Sequence, residues 1–181
     1  MKLLLTASGT VYLVLLAAYG NLRLTGSPWP RPLTWWPCGM WAALMTVTLI
    51  AASITWVKVL YTLRAGRPTA ASRWMAAAIL GGLFFEALQA KLWIMMAKAG
   101  STLAHNPWGN SLFGAVYFLF TGFVSFHVFA GILYSTWVAR KTVQLHVEVT
   151  TVDTVALYWH FVTGTWLLTY LLLVLPSTSV H

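Results

Sequence analysis

The chain is 181 residues long, 59% hydrophobic and only 8% charged, with a formal net charge of +8 and a mean hydropathy of +0.75. That composition leaves too little polar surface to clothe a soluble globule of this size, so the sequence reads as an integral membrane protein. Its basic residues stand singly or in pairs at the ends of apolar runs, where they anchor to anionic lipid headgroups; no basic stripe with interleaved aromatics is present, which argues against nucleic acid as a partner.

Runs of about 20 apolar residues fall at Leu3 to Tyr19, Met40 to Leu60, Trp74 to Ala97, Leu112 to Val138 and Val152 to Leu175. Each is predicted to be a helix, because hydrocarbon satisfies no open backbone group and the strands of a barrel would alternate polar with apolar. The fold class is therefore an all-α bundle of five transmembrane helices, a single membrane domain over residues 1–181.

In chain order, Lys2 with the leucine-rich run and Ala18-Tyr19-Gly20 has the outline of a signal peptide. Its apolar core is longer than a signal's, and it is read as a first membrane helix. A connection rich in proline and tryptophan, Asn21 to Pro37, leads to Cys38, whose solitude excludes an intrachain disulfide or a multi-cysteine metal site. Trp35, Trp36 and Trp41 open the second helix. The segment Arg64-Ala65-Gly66-Arg67-Pro68 is a predicted turn into the third, because glycine and proline stop one helix before another starts. Trp74 and Trp93 bracket that third helix about 28 Å apart at helical rise, and Trp108 and Trp137 bracket the fourth, all as interface anchors. Small residues at spacing four, Ala78 with Gly82 and Ser111 with Ala115, permit close helix contact inside the bundle. A second polar connection, Arg140 to Thr151, precedes the last helix. With the N-terminus inside, Lys2, Lys58, Arg64, Arg67, Arg73, Arg140 and Lys141 fall at the inner side against Arg23, Arg31, Lys91 and Lys98 outside, which predicts N-in, C-out. Arg64, Arg67 and Arg73 are the candidates for phospholipid headgroup contacts.

Polar groups within the spans carry the remaining information. Glu86 lies near the middle of the third helix, with Gln89 and Trp93 on the same face at i+3 and i+7. His127 falls at similar depth on the antiparallel fourth helix, so a Glu86–His127 pair is expected, either protonatable or serving to hold two helices in register. Asp153 and His160 lie seven apart on the fifth. Two histidines at similar depth, His127 and His160, leave open a small b-type cytochrome, although no histidine pair has metal-ligand spacing on one helix face. His105 and His146 fall in connections and His181 at the terminus. There is no nucleophile with an adjacent base and no phosphate-cradling loop, and no internal repeat or broken helix of the transporter kind. From the residues alone the chain reads as a membrane subunit without chemistry of its own.

Four segments, in order, carry a family pattern. Tyr158-Trp159-His160-Phe161-Val162, continuing to Trp166-Leu167 and Tyr170, resembles the WHFVD closing helix of subunit III of the haem-copper oxidases, the cytochrome c and quinol oxidases, with Asp153 where that family has an acid. Thr121-Gly122-Phe123-Val124-Ser125-Phe126-His127-Val128 with Gly131 is similar to TGFHGLHV...G. Gly82-Leu83-Phe84-Phe85-Glu86-Ala87-Leu88-Gln89-Ala90 is similar to glycine, aromatic, then LLQA. Ser53-Ile54-Thr55-Trp56 with Arg67 supplies the fourth, and Ser8 a weak fifth. The pattern departs at Gly9, Leu92 and Thr163, where the family has acids, and at Val124, where it has histidine; Glu86 is this chain's own acid. The resemblance implies the short, five-helix version of the subunit in a prokaryotic plasma (inner) membrane. It further implies no cofactor in this chain, haem and copper in a partner catalytic subunit I, other oxidase subunits as partners, and phospholipid bound in an interhelical cleft. The lost acids equally fit an accessory subunit of a nitric oxide reductase or of another respiratory supercomplex.

Overall fold

The structure, a computed structural model, describes residues 2–25, 36–105, 107, 112–144 and 148–174. Arg31, Trp35, Trp108, Ser111, His146, Leu175 and His181 lie outside the described residues, as do the side chains of Lys2, Trp36 and Cys38. Five helices follow one another, α1 Lys2–Thr25, α2 Trp36–Arg64, α3 Pro68–Lys98, α4 Leu112–Gln144 and α5 Val149–Thr169, the last running into a π-helical turn Tyr170–Val174. Among the described residues there is no strand, and all five helices are long and apolar enough to cross a membrane. The chain is a multi-pass, all-helical membrane bundle.

The helices outrun the apolar cores that mark them in the sequence. α3 starts at Pro68 rather than near Trp74, and α4 continues to Gln144 rather than stopping near Val138. Polar residues at the water-facing ends of a helix do not interrupt its backbone hydrogen bonds, so hydropathy marks the membrane-embedded part and not the helix. The expected α2–α3 turn is present. Gly66 takes a φ of 67°, Gly66 N donates to Leu63 O at 3.0 Å and Arg67 N to Thr62 O at 3.0 Å, and Pro68 occupies the first turn of α3, where its missing N–H costs nothing. α3 ends on Gly100 at φ 89°, with Gly100 N bonded to Ala97 O and Ser101 N to Met96 O, both at 3.0 Å, the paired closure that satisfies the last carbonyls of a helix.

α2, α3, α4 and α5 form a ring in which each packs on its two neighbours, and α1 lies outside the ring, parallel to α5 and antiparallel to α4. The ring's core holds Trp56, Met45 and Leu49 of α2, Met75 and Phe85 of α3, Val124 and Val128 of α4, and Trp159 and Trp166 of α5, all with essentially no exposure. α1 joins through a second cluster in which Tyr12 and Tyr19 pack on Phe120 and Tyr117, and it is the least buried of the spans. Small residues govern the close approaches: a Cβ on Gly81 would sit 3.2 Å from Ala52 Cβ, and one on Gly82 only 2.7 Å from the Trp159 ring and 3.0 Å from Ile132. The Ala78 and Gly82 face is thus consumed by this chain's own bundle. Large apolar side chains such as Leu80, Leu83, Val47 and Leu133 point outward, as hydrocarbon permits.

Tryptophans divide into two sets. Trp74, Trp41 and Trp137 lie under the ammonium groups of Lys58, Lys91 and Lys141 at 4.6, 3.5 and 4.0 Å, which suits anchors near a membrane surface. Trp93, expected as a further anchor, instead donates from Nε1 to Thr121 Oγ1 at 2.9 Å and ties α3 to α4.

Candidate functional site

The polar groups of the spans form three stations, each joining a different pair of helices. Between α3 and α4, the Ser125 hydroxyl donates to Glu86 Oε2, and two turns further along α3 Trp93 donates to Thr121, which itself donates to Tyr117 O at 2.7 Å. Gln89 lies between these bonds with no exposure at all; neither its amide nitrogen nor its oxygen has a hydrogen-bond partner among the described residues, and the same holds for Glu86 Oε1.

Between α4 and α1, His127 is buried, its Nδ1 2.8 Å from Phe123 O and its Nε2 3.1 Å from Ser8 Oγ. A carbonyl only accepts, so Nδ1 carries a proton toward Phe123, and in the neutral ring Nε2 accepts the Ser8 hydroxyl. Phe123 flanks the imidazole with ring centroids 4.3 Å apart, and the Tyr158 hydroxyl of α5 donates to His127 O at 2.8 Å. Further along α1, Tyr12 donates to Thr165 O at 2.8 Å and Tyr19 to Leu172 O at 2.7 Å.

Between α5 and α2, His160 Nδ1 lies 2.5 Å from Ser53 Oγ, Trp166 Nε1 donates to Thr46 Oγ1 at 2.9 Å and Thr163 Oγ1 to Leu49 O at 3.4 Å. Trp159 adds a bond between α5 and α4, donating from Nε1 to Ser135 Oγ at 2.9 Å.

The expected Glu86–His127 pair is not formed. Ser125 and His127 are two residues apart on α4, hence about 200° apart around its axis, so Ser125 meets α3 while His127 turns to α1. Holding helices in register, the simpler of the two roles foreseen for that pair, falls instead to Glu86 with Ser125 and to His127 with Ser8. The two histidines proposed for an axial haem pair are bonded to different helices, His127 to α1 and His160 to α2, and do not face one another across a common pocket. At the bundle's end, Asp153 meets Arg64 at 3.9 Å, both side chains nearly two-thirds exposed; such a pair adds little to stability. Arg67 and Arg73 are exposed at the same end. Among the described residues no group of three histidine, cysteine, aspartate or glutamate side chains comes together.

An apolar groove of about 250 Å³ opens between α1 and α4 over a floor of Tyr158, lined also by Leu4, Leu5, Ser8, Phe126 and Ala130. It lies on the α1 side of the bundle, whereas Arg64 ends α2, Arg67 lies in the α2–α3 turn and Arg73 in the second turn of α3, so the basic residues singled out in the sequence do not line it. Tyr12, Thr46 and Ser135 also escaped notice, because one hydroxyl inside an apolar run leaves no periodic signal.

Ser125→Ala is expected to lower the unfolding free energy by about 1–3 kcal/mol, since it strips the carboxyl of its partner at a buried position, while Glu86→Gln keeps a group that accepts from Ser125 and leaves assembly intact. Unfolding of the detergent-solubilised chain, followed by loss of helicity, measures both; a Ser125→Ala protein as stable as the parent contradicts the assignment.

The geometry defines a class, a multi-pass membrane bundle whose buried polar groups join one helix to the next. The chain belongs to the cytochrome c oxidase subunit III family, whose model matches residues 24–177, taking in α2 to α5 and leaving almost all of α1 outside. A protein of Mycobacterium leprae (strain TN) named "Probable cytochrome c oxidase subunit 3" is 29% identical over 158 residues, covering 84% of this chain and 74% of that protein. A "Cytochrome c oxidase subunit 3" of Corynebacterium diphtheriae is 29% identical over 130 residues, 70% of this chain and 61% of the relative. One of the fish Polypterus ornatipinnis is 30% identical over 130 residues, 70% of this chain and 47% of the relative.

Proposed function

We propose that the chain is the subunit III of a haem-copper terminal oxidase in a bacterial plasma membrane, oriented N-in and C-out. It carries no redox cofactor and stabilises a catalytic subunit I that holds haem and copper. The observation that carries this reading is the family match over residues 24–177, together with the engagement of both intramembrane histidines and the intramembrane carboxyl in bonds between helices. A side chain committed to holding its neighbour helix is poorly placed to bind a substrate. Gly9, Val124 and Thr163, standing where the family pattern has ionisable groups, support a structural role over proton uptake; Thr163 in fact packs buried against the α2 backbone.

Phospholipid is the proposed small-molecule partner. An acyl chain suits the α1–α4 groove, whose lining is apolar apart from Ser8, His127 and the tyrosines, and Arg64, Arg67 and Arg73 are proposed to hold headgroups at the α2–α3 turn. Ala130→Trp fills the groove and is expected to cost the purified complex one tightly held lipid by mass spectrometry; replacing the three arginines with alanine should remove others. Unchanged lipid content in both proteins contradicts lipid binding at these places. The stabilising role is tested by deleting the chain from its host and following oxidase activity in membranes over time. Faster loss than in the parent strain is expected, and an equal lifetime contradicts it.

The same departures from the family's acids suit a second reading, an accessory subunit of a nitric oxide reductase, and the haem protein recovered with the chain separates the two.

A further inference from the structure

His160 is an anomaly among the polar groups of the spans. It lies about 16 Å along α5 at helical rise, well inside the hydrocarbon, yet it is exposed in the isolated chain. Exposed hydroxyls elsewhere return to their own helix: Thr10 donates to Thr6 O at 2.9 Å, Thr55 to Ala51 O at 2.7 Å and Thr154 to Thr150 O at 2.9 Å, so each is compatible with lipid tails. An imidazole can return only one of its two nitrogens to its own helix, as His127 does to Phe123 O, and the other needs a partner elsewhere. Its Nδ1 is taken by Ser53, and its Nε2 has no hydrogen bond among the described residues. A polar nitrogen turned to hydrocarbon is costly, and intramembrane histidines face protein or a hydrated cavity.

The surroundings point the same way. Asp153, Leu157, His160, Gly164 and Leu168 recur at i, i+4, i+7, i+11 and i+15, a narrow stripe of the kind that packs against a second helix. Gly164 sits one turn beyond His160, and a Cβ there would meet nothing within 4 Å. This chain's own packing gives no reason for a glycine in mid-helix, where it weakens the helix; a second backbone approaching from outside does. The outer face of α3 around Leu80, Leu83 and Phe84 presents large apolar side chains, and its exposed cation, Lys91, lies over the Trp41 ring.

We propose that the exposed stripe of α5 is the docking face for a transmembrane helix of the catalytic subunit, which packs closely at Gly164 and places a hydrogen-bonding side chain opposite His160 Nε2. This rests on the reading of the chain as an oxidase subunit and names the surface that makes the contact. A lipid tail, the rival occupant, supplies no partner for the imidazole.

Photo-crosslinking in native membranes tests it. Benzoylphenylalanine is placed at Leu157 and Leu168 of α5, and for comparison at Leu80 and Leu83 of α3. The expected result is adducts with the haem-copper subunit from the α5 positions and with lipid from the α3 positions. Gly164→Leu, whose Cβ has room in this chain and which should not weaken its own fold, is expected to retain about tenfold less catalytic subunit through detergent purification, and His160→Leu a similar loss, as befits one lost buried hydrogen bond. Lipid adducts alone at Leu157 and Leu168, or full retention by Gly164→Leu, overturn the docking face. Copurification of the unsubstituted chain with a haem-copper subunit separates the two levels: if it persists, only the docking face has failed, and if it is absent, the oxidase reading has failed too.

Discussion

Trp159→Ala should cost this protein about 3–5 kcal/mol of bundle stability, the range for deleting a large buried ring. Trp159 is fully buried on α5, meets Gly82 of α3 and Gly131 of α4, and donates its indole N–H to Ser135 of α4. One side chain therefore joins three of the four helices in the ring. In a bilayer no hydrophobic drive replaces the lost contact, because lipid tails are as apolar as the core, so packing and hydrogen bonding carry the association. Trp159→Phe separates the two contributions, keeping most of the ring's volume and losing the bond to Ser135, with an expected cost nearer about 1 kcal/mol. Unfolding of the solubilised chain measures both, and an alanine variant within error of the parent contradicts the central place given to Trp159.

Gly82→Leu approaches the same junction from the other side. A Cβ at Gly82 already falls 2.7 Å from the Trp159 ring and 3.0 Å from Ile132, closer than real carbon contacts allow, and the rest of a leucine has nowhere to go. Overpacking of this kind costs about 1–3 kcal/mol when neighbours yield and more when they do not; here the neighbours are a buried indole and a β-branched side chain. Loss of the folded, assembled chain is expected, read as failure to accumulate in the membrane. The double variant Gly82→Leu with Trp159→Ala should recover part of the loss, since the leucine then occupies the space of the ring, and the departure from additivity measures the contact directly. Strict additivity contradicts it.

Much of this architecture was legible in the sequence. Five apolar runs sufficed for the five helices, because a membrane leaves so apolar a backbone no other choice, and Gly66 with Pro68 sufficed for the α2–α3 turn because glycine takes a positive φ and proline favours a helix's first turn. The family pattern was equally legible, and the family match reaches from residue 24 to residue 177 over the same helices that carry the motifs. Helix ends were less so: Pro68 to Arg73 is too polar to count as membrane and is helical all the same. Partnerships were the least legible. Glu86 and His127 share a depth, but which residue of α4 faces α3 depends on the rotation of each helix about its axis, and spans apolar all round carry no moment from which to read that rotation. Trp93 likewise reads as an interface anchor by position, and only the packing of α3 on α4 brings Thr121 within reach of its N–H. The serines that partner Glu86, His127 and His160 stand inside the family motifs, but nothing in an apolar run says which ionisable group each will meet, and it is these bonds that settle where each group points.

The most direct test of the account is to tag the chain, purify it from its native membranes in mild detergent, and take the visible spectrum and the mass-spectrometric composition of what is recovered. A stoichiometric haem-copper catalytic subunit is expected, with all of the haem absorbance belonging to that partner. Recovery of the chain alone, or of haem bound to the chain by itself, would contradict it.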